Sequence, residues 1–176
     1  MRLFFALLPP LQLVETLGTL MHGVKGARWQ SPEQLHLTLR FVGDVPEMLA
    51  EELAAMLPSR IVEIPAISLS GVGFFERRHR PNALWVRALP REPLVQLHQK
   101  LDRACQTLGL QPERRAYMPH MTVARLPRDV GPIDQWLARH AGFSAGPLPF
   151  PRCSLMQSVP AGNTRQYEAL ASVRLV

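Results

Sequence analysis

Cysteine and lysine are both scarce in this chain of 176 residues, and each scarcity narrows the reading. Cys105 and Cys153 are the only cysteines. They form no CxxC pair and no disulfide framework, so nothing points to secretion. Cys105 sits in a helical stretch and reads as a small core residue. Lysine occurs only at Lys25 and Lys100, yet Lys and Arg together number 20 against 14 Asp and Glu. The formal charge is +6 and the pI about 10.3. The positive charge is therefore mostly arginine, whose fork matches phosphate oxygens. An anionic partner such as RNA and a merely solvated basic surface both fit the charge. Long apolar runs are also missing. MRLFFALLPP is too short to span a bilayer and lacks a signal-peptide cleavage pattern, so it reads as a buried first strand. The expectation is a reduced, cytoplasmic protein without a membrane segment. Hydrophobic residues make up 47% and charged residues 19%, enough for a core and too little charge for disorder.

What is present is a repeated tetrapeptide. His36-Leu37-Thr38-Leu39 recurs as His120-Met121-Thr122-Val123. On a strand, side chains at i and i+2 share a face. His36 and Thr38 then stand together on a polar face, with Leu37 and Leu39 directed into a core. Arginines follow both copies, Arg40 after the first and Arg125 after the second.

The surrounding plan also repeats. Leu3 to Leu8 reads as a strand, residues 10 to about 22 as a helix, 35–42 as the first histidine strand, and Pro46 to Leu57 as a helix limited by Pro58. Ile61 to Leu69 has a β-like composition broken at Pro65. Gly71 to Phe75, the charged tip Glu76 to Pro81, and Leu84 to Val86 read as a hairpin. A second opening strand, Leu84 to Leu89, is followed by a helix over Pro93 to Leu108, the second histidine strand at 120–125, and a short helix over Pro132 to His140. Cys153 to Ser158 and Tyr167 to Val176 close the chain. The expected architecture is one domain over residues 1–176, made of two pseudosymmetric lobes by internal duplication.

Two imidazoles facing each other across a cleft can divide acid and base work near neutral pH. This suits in-line displacement at phosphorus, with threonine hydroxyls on the phosphate oxygens and arginines offsetting developing charge. A zinc site would need further ligands, and no Asp, Glu or Cys lies within either motif. His22, His79, His98 and His140 lack the motif's context and are expected on the surface or a helix face. Arg77, Arg78 and Arg80 read as a solvated tip. Arg114 and Arg115, just upstream of the second motif, are better candidates. Tyr117 reads as a stacking platform or as core.

The two tetrapeptides resemble the signatures of the two-histidine (2H) phosphoesterases. MRLFFALLPP, LHLTLRFVGDV, PHMTVAR and Tyr167-Glu168-Ala169-Leu170 are similar to the RNA 2′,3′-cyclic phosphodiesterases, the 2′-5′ RNA ligase or ThpR/LigT group. The resemblance implies an α+β, bilobed, duplicated fold, with two antiparallel sheets lining a central cleft and helices outside. It implies no metal and no cofactor. The implied reaction opens a terminal 2′,3′-cyclic phosphate on RNA to a 2′-phosphate. His36 would be the acid on the departing 3′ oxygen and His120 the base for water. Thr38, Thr122 and Arg125 would hold the phosphate, and Phe41 would pack on the terminal base. Arg40 is a further substrate-binding candidate, since an ideal strand gives it the face of His36 and Thr38. Reverse 2′-5′ ligation of tRNA halves is implied as well. The protein is expected to act as a monomer. Two alternatives stand beside this reading: a phosphodiesterase for small cyclic nucleotides or 2′-5′ linked species, and a non-catalytic module that binds RNA ends. The loop Pro160 to Gln166 departs from the group's glycine-rich pattern, with Arg165 a candidate to face the cleft.

Overall fold

The computed structural model describes residues 1–61 and 63–175. Arg2–Leu8 forms β1. Leu3 to Leu7 are all buried, as a run that is apolar on both faces requires of a central strand. Three helices begin directly after an extended proline: α1 (Leu11–Gly18), α2 (Glu47–Arg60) and α3 (Arg91–Thr107). A proline at a helix start costs no intrahelical hydrogen bond. The other elements are β2 (Arg28–Trp29), a 3-10 turn (Pro32–Gln34), β3 (Leu37–Asp44), β4 (Ile67–Arg77), β5 (Arg80–Leu89), β6 (His120–Arg125), α4 (Asp134–His140), β7 (Ser144–Leu148), β8 (Arg152–Ala161) and β9 (Thr164–Arg174). Among the described residues, no helix is long and apolar enough to cross a membrane.

Several boundaries differ from the sequence expectation. α1 stops at Gly18. α2 runs through Pro58 to Arg60; in the last turn, proline removes one amide without blocking the residues that follow it. β3 continues through Gly43 to Asp44. The β-like composition from Ile61 becomes strand only at Ile67, and its Val62 lies outside the described residues. The closing strand starts earlier, at Thr164, and the expected end at Val176 also lies outside them.

All strand pairings are antiparallel, in the order β9-β8-β1-β3-β6-β5-β4-β7, with β2 added beside β6. The two expected sheets are thus the two halves of one ladder, joined between β3 and β6 by a single pair, Leu37 with Met121. The closing strand of the first repeat, β4, pairs with β5 in the second half, whereas β8 and β9 return to flank β1. α2 packs on β8 and β9, α3 on β3, and α4 on β4. The main core lies between sheet and helices, and a smaller apolar cluster of Phe4, Ala6, Met156 and Tyr167 lies on the opposite face of β1.

Both histidine strands carry a β-bulge at the same place. Ala6 faces Thr38 and Phe5 faces Arg40, so Leu39 is an extra residue in β3. Trp85 faces Thr122 and Leu84 faces Ala124, so Val123 is the extra residue in β6. Directly paired residues share a face, and one extra residue reverses the alternation beyond it. Arg40 therefore falls with core residue Phe5, and Phe41 falls with Phe4 on the cleft face.

Arg40 still lines the cleft, as expected of a substrate-binding candidate, but its nitrogens are engaged from the other side of the sheet. Its side chain is 5% exposed and its guanidinium is turned to the helices. Nε donates to Asp102 Oδ1 on α3 at 2.6 Å, Nη2 donates to the Gln111 carbonyl at 2.6 Å, and Nη1 donates to the Phe41 carbonyl. Burial would raise the Asp102 carboxyl, but the Glu113 amide, Arg40 and Gln106 together hold it below its ordinary value. Its stabilising contribution is present above the ordinary carboxylate range and is lost as pH falls through the lowered pKa. Replacing Asp102 by Asn strands a buried guanidinium, and urea unfolding at neutral pH should show a loss of about 3–5 kcal/mol. The variant should also lack this part of the wild-type stability loss in acid.

Candidate active site

His36 stands immediately before β3, and His120 is the first residue of β6. Each imidazole is oriented by the carbonyl two residues upstream. His36 Nδ1 donates to the Gln34 carbonyl and His120 Nδ1 to the Met118 carbonyl, both at 2.6 Å. A carbonyl only accepts, so the Nδ1 proton is fixed and Nε2 is left as the titrating atom. His36 Nε2 lies 3.1 Å from Thr38 Oγ1, the local product of the i, i+2 spacing.

Aromatic rings wall both imidazoles. Phe4 and Tyr167 pack on His36 with centroids at 4.9 and 5.1 Å. Phe75 and Trp85 pack on His120 at 4.8 and 6.3 Å. Trp85 lies over Gly73, where any Cβ would run into the indole, so only glycine leaves room for the ring. These walls make protonation costly. Burial lowers His36 to about 4, against the opposing pull of the Gln34 carbonyl, with the charges of Arg125 and His120 adding to the depression. Burial also lowers His120, opposed by the Met118 carbonyl and reinforced by Arg125. Both imidazoles are therefore biased to the neutral form in the empty cleft.

The cleft has a volume of about 800 Å³. His36, Thr38, Arg40, Phe41, His120, Thr122 and Arg125 all line it. The bulges bring Phe41 and Arg125, each five residues after its histidine, onto the same side as the motif threonines. Phe41 is 40% exposed, with the Arg2 guanidinium 4.9 Å from its ring centroid. Arg125 is exposed and has no acidic partner within 4.0 Å among the described residues.

The other expectations divide. Arg77 and Arg115 reach the cleft wall, while Arg78 and His79 form the left-handed tip of the β4–β5 hairpin. Arg165 turns aside: its Nε donates to Ser158 Oγ at 2.5 Å, and it lines a separate cavity with Arg28, Gln34 and Tyr167. His98, expected on the surface or a helix face, lies on the buried face of α3 at the cleft wall, 7% exposed; its Nδ1 donates to the Leu39 carbonyl at 2.6 Å and its ring stacks on Tyr117. Sequence reasoning missed Phe4, Phe75 and Trp85 as walls and Gln34 as a clamp. Gln34 Nε2 donates to Thr164 Oγ1 and to the Arg165 carbonyl, tying the residue that orients His36 to the β8–β9 hairpin. The matching positions of Gln34 and Met118, two before each histidine, were the available signal.

The family model described as the 2′-5′ RNA ligase superfamily matches residues 9–146. The chain belongs to that superfamily. An Aeropyrum pernix protein named RNA 2′,3′-cyclic phosphodiesterase is 30% identical over 145 residues, covering 81% of this chain and 82% of the relative. A Thermotoga maritima protein of the same name is 32% identical over 117 residues, covering 65% of this chain and 62% of the relative. Among solved structures, a Thermus thermophilus protein aligns over 99% of this superfamily member and 98% of its own chain, with a TM-score of 0.76 and 26% identity. Escherichia coli LigT, crystallised with 3′-AMP, covers 99% of this chain and 97% of its own, with a TM-score of 0.71 and 23% identity, a likeness of fold.

Arg125 depresses both histidines, so an Arg125→Gln protein should titrate His36 and His120 at higher pH than the wild type. Histidine NMR titration of the ligand-free protein checks this. Midpoints that stay put or fall would contradict the assignment of Arg125 to their shared field.

Proposed function

We propose that this protein hydrolyses the 2′,3′-cyclic phosphate at an RNA end to a 2′-phosphate without a metal, with residues 1–176 acting as one two-lobed catalytic unit. The observation that carries the reading is the pair of imidazoles, each with Nδ1 fixed by a carbonyl, lining one cleft with Thr38, Thr122 and Arg125. The names of the relatives supply the substrate class.

In this reading His120 Nε2 takes a proton from water as the water oxygen bonds to phosphorus. The bond from phosphorus to the 3′ oxygen breaks, and His36 Nε2 delivers a proton to that oxygen. Arg125 and the threonine hydroxyls receive the charge gathering on the non-bridging oxygens. Phe41, backed by Arg2, offers its other face to the terminal base, a contact worth about 1–3 kcal/mol in comparable stacks. With a 5′-hydroxyl in place of water as the nucleophile, the same steps join the cyclic phosphate end to a second RNA through a 2′-5′ linkage, as expected for tRNA halves.

The acid must enter the reaction protonated, yet the empty cleft biases His36 to the neutral form. The phosphodiester anion reverses that bias, because a negative charge between the imidazoles favours the imidazolium. A second reading exchanges the two roles, and the strong depression at His36 favours it. The product distinguishes them when the bound phosphate keeps the same orientation: His36 on the 3′ oxygen yields a 2′-phosphate.

Incubation in EDTA with a short RNA ending in a 2′,3′-cyclic phosphate should yield the 2′-phosphate. A 3′-phosphate would overturn the role assignment, and loss of activity on chelation would overturn the metal-free chemistry. His36→Ala and His120→Ala should each lower kcat by about 10²–10⁴-fold while the protein stays folded. Full activity in either variant would sink the two-histidine mechanism. Phe41→Ala should raise KM more than it lowers kcat.

A further inference from the structure

A bulge interrupts ladder pairing and leaves backbone groups in need of partners. In β3 two side chains meet that need. Tyr117 donates its hydroxyl to the Thr38 carbonyl at 2.8 Å. His98 Nδ1 donates to the Leu39 carbonyl at 2.6 Å. The two rings stack with centroids 4.3 Å apart and planes 6° from parallel, so each holds the other in place. In β6 the corresponding bulge carbonyl, that of Val123, accepts from the backbone amide of Gln30 at 2.9 Å.

The partners come from reciprocal places. Tyr117 lies three residues before His120, on the segment whose Met118 carbonyl orients that histidine. Gln30 lies six residues before His36, on the segment whose Gln34 carbonyl orients the other. Each entry segment thus bonds to the bulge region of the opposite histidine strand. Between the strands themselves, among the described residues, there is only the Leu37–Met121 pair. Beyond that pair, the two histidine strands are joined through β2, which pairs Arg28 with Arg125 and Trp29 with Ala124, and through the entry-segment bonds of Gln30 and Tyr117, of which only Tyr117 uses a side-chain hydroxyl.

We propose that Tyr117 is a positioning residue that sets the separation of the two histidine strands by clasping the Thr38 carbonyl. It acts through His36, Thr38 and His120. The catalytic consequence rests on the two-histidine reading above, since only a reaction that needs both imidazoles at once is sensitive to their spacing. The stack on His98 keeps the phenol aligned, so removal of the hydroxyl alone releases the clasp while the ring stays packed.

Tyr117→Phe tests this in the full chain. Its kcat on the short cyclic-phosphate RNA should fall about 10-fold or more, since misplacement by about 1 Å can cost 10²-fold. Its KM should stay within about twofold, because the ring at position 117, which lines the cleft, stays stacked on His98 and Phe41 and Arg125 are untouched. Hydrogen exchange supplies a readout independent of activity. Amides across the Leu37–Met121 junction should exchange faster in the variant, while those in the centre of β1 around Phe5 keep their wild-type rates. A general loss of stability would accelerate both sets together. An unchanged kcat, or junction exchange that merely tracks β1, overturns the proposal. If the wild-type protein itself fails to turn over the RNA, the functional reading fails, and the exchange comparison alone decides whether Tyr117 holds the strands.

Discussion

The geometry of the cleft depends on one extra residue in each of two strands. Before the bulge, simple alternation places His36 with Thr38 and His120 with Thr122. After it the alternation is reversed, so Phe41 and Arg125 join those residues while the Arg40 guanidinium is drawn toward α3. Without the bulges, the position four after each histidine would face the cleft, and the chain has Arg40 at one and Ala124 at the other. With them, the cleft gains an aromatic ring from one strand and an exposed guanidinium from the other. The two halves thus use the same backbone device to present different chemistry.

The bulge also explains the buried ion pair. Arg40 is carried to the helix side of the sheet, where a lone guanidinium would be costly. Asp102 on α3, the Gln111 carbonyl and the Phe41 carbonyl together engage all three of its nitrogens. α3 is therefore tied to β3 at Arg40, and again at Leu39 through His98. The helix that supports the first histidine strand belongs by sequence to the second repeat. The first half of the site is therefore dependent on the second.

Electrostatics and packing act in the same direction on the imidazoles. Aromatic walls strip water from both rings, and Arg125 opposes their protonation. The cleft is consequently poised for an anion, whose arrival relieves the repulsion among the cationic forms. Fixing both Nδ1 protons on backbone carbonyls leaves one titrating nitrogen on each ring. The electrostatic bias and the tautomers are then set before any substrate enters.

The local pattern of this chain determined a good deal by itself. The His-x-Thr-x spacing dictates which side chains stand together, the run Leu3 to Leu7 dictates a strand buried on both faces, and Pro10 and Pro46 stand at helix starts. Those features depend on residues a few positions apart, within reach of one strand or one turn. The position of Arg40, the burial of His98 and the return of β8 and β9 to flank β1 were decided by tertiary structure. A bulge exists only relative to a partner strand, and the side chains that hold it come from α3 and from the segment before β6. Periodicity read along one strand carries no information about either. The same limit hid the walls around the histidines, since Phe4, Phe75, Trp85 and Tyr167 are brought to them by pairings between strands far apart in the chain.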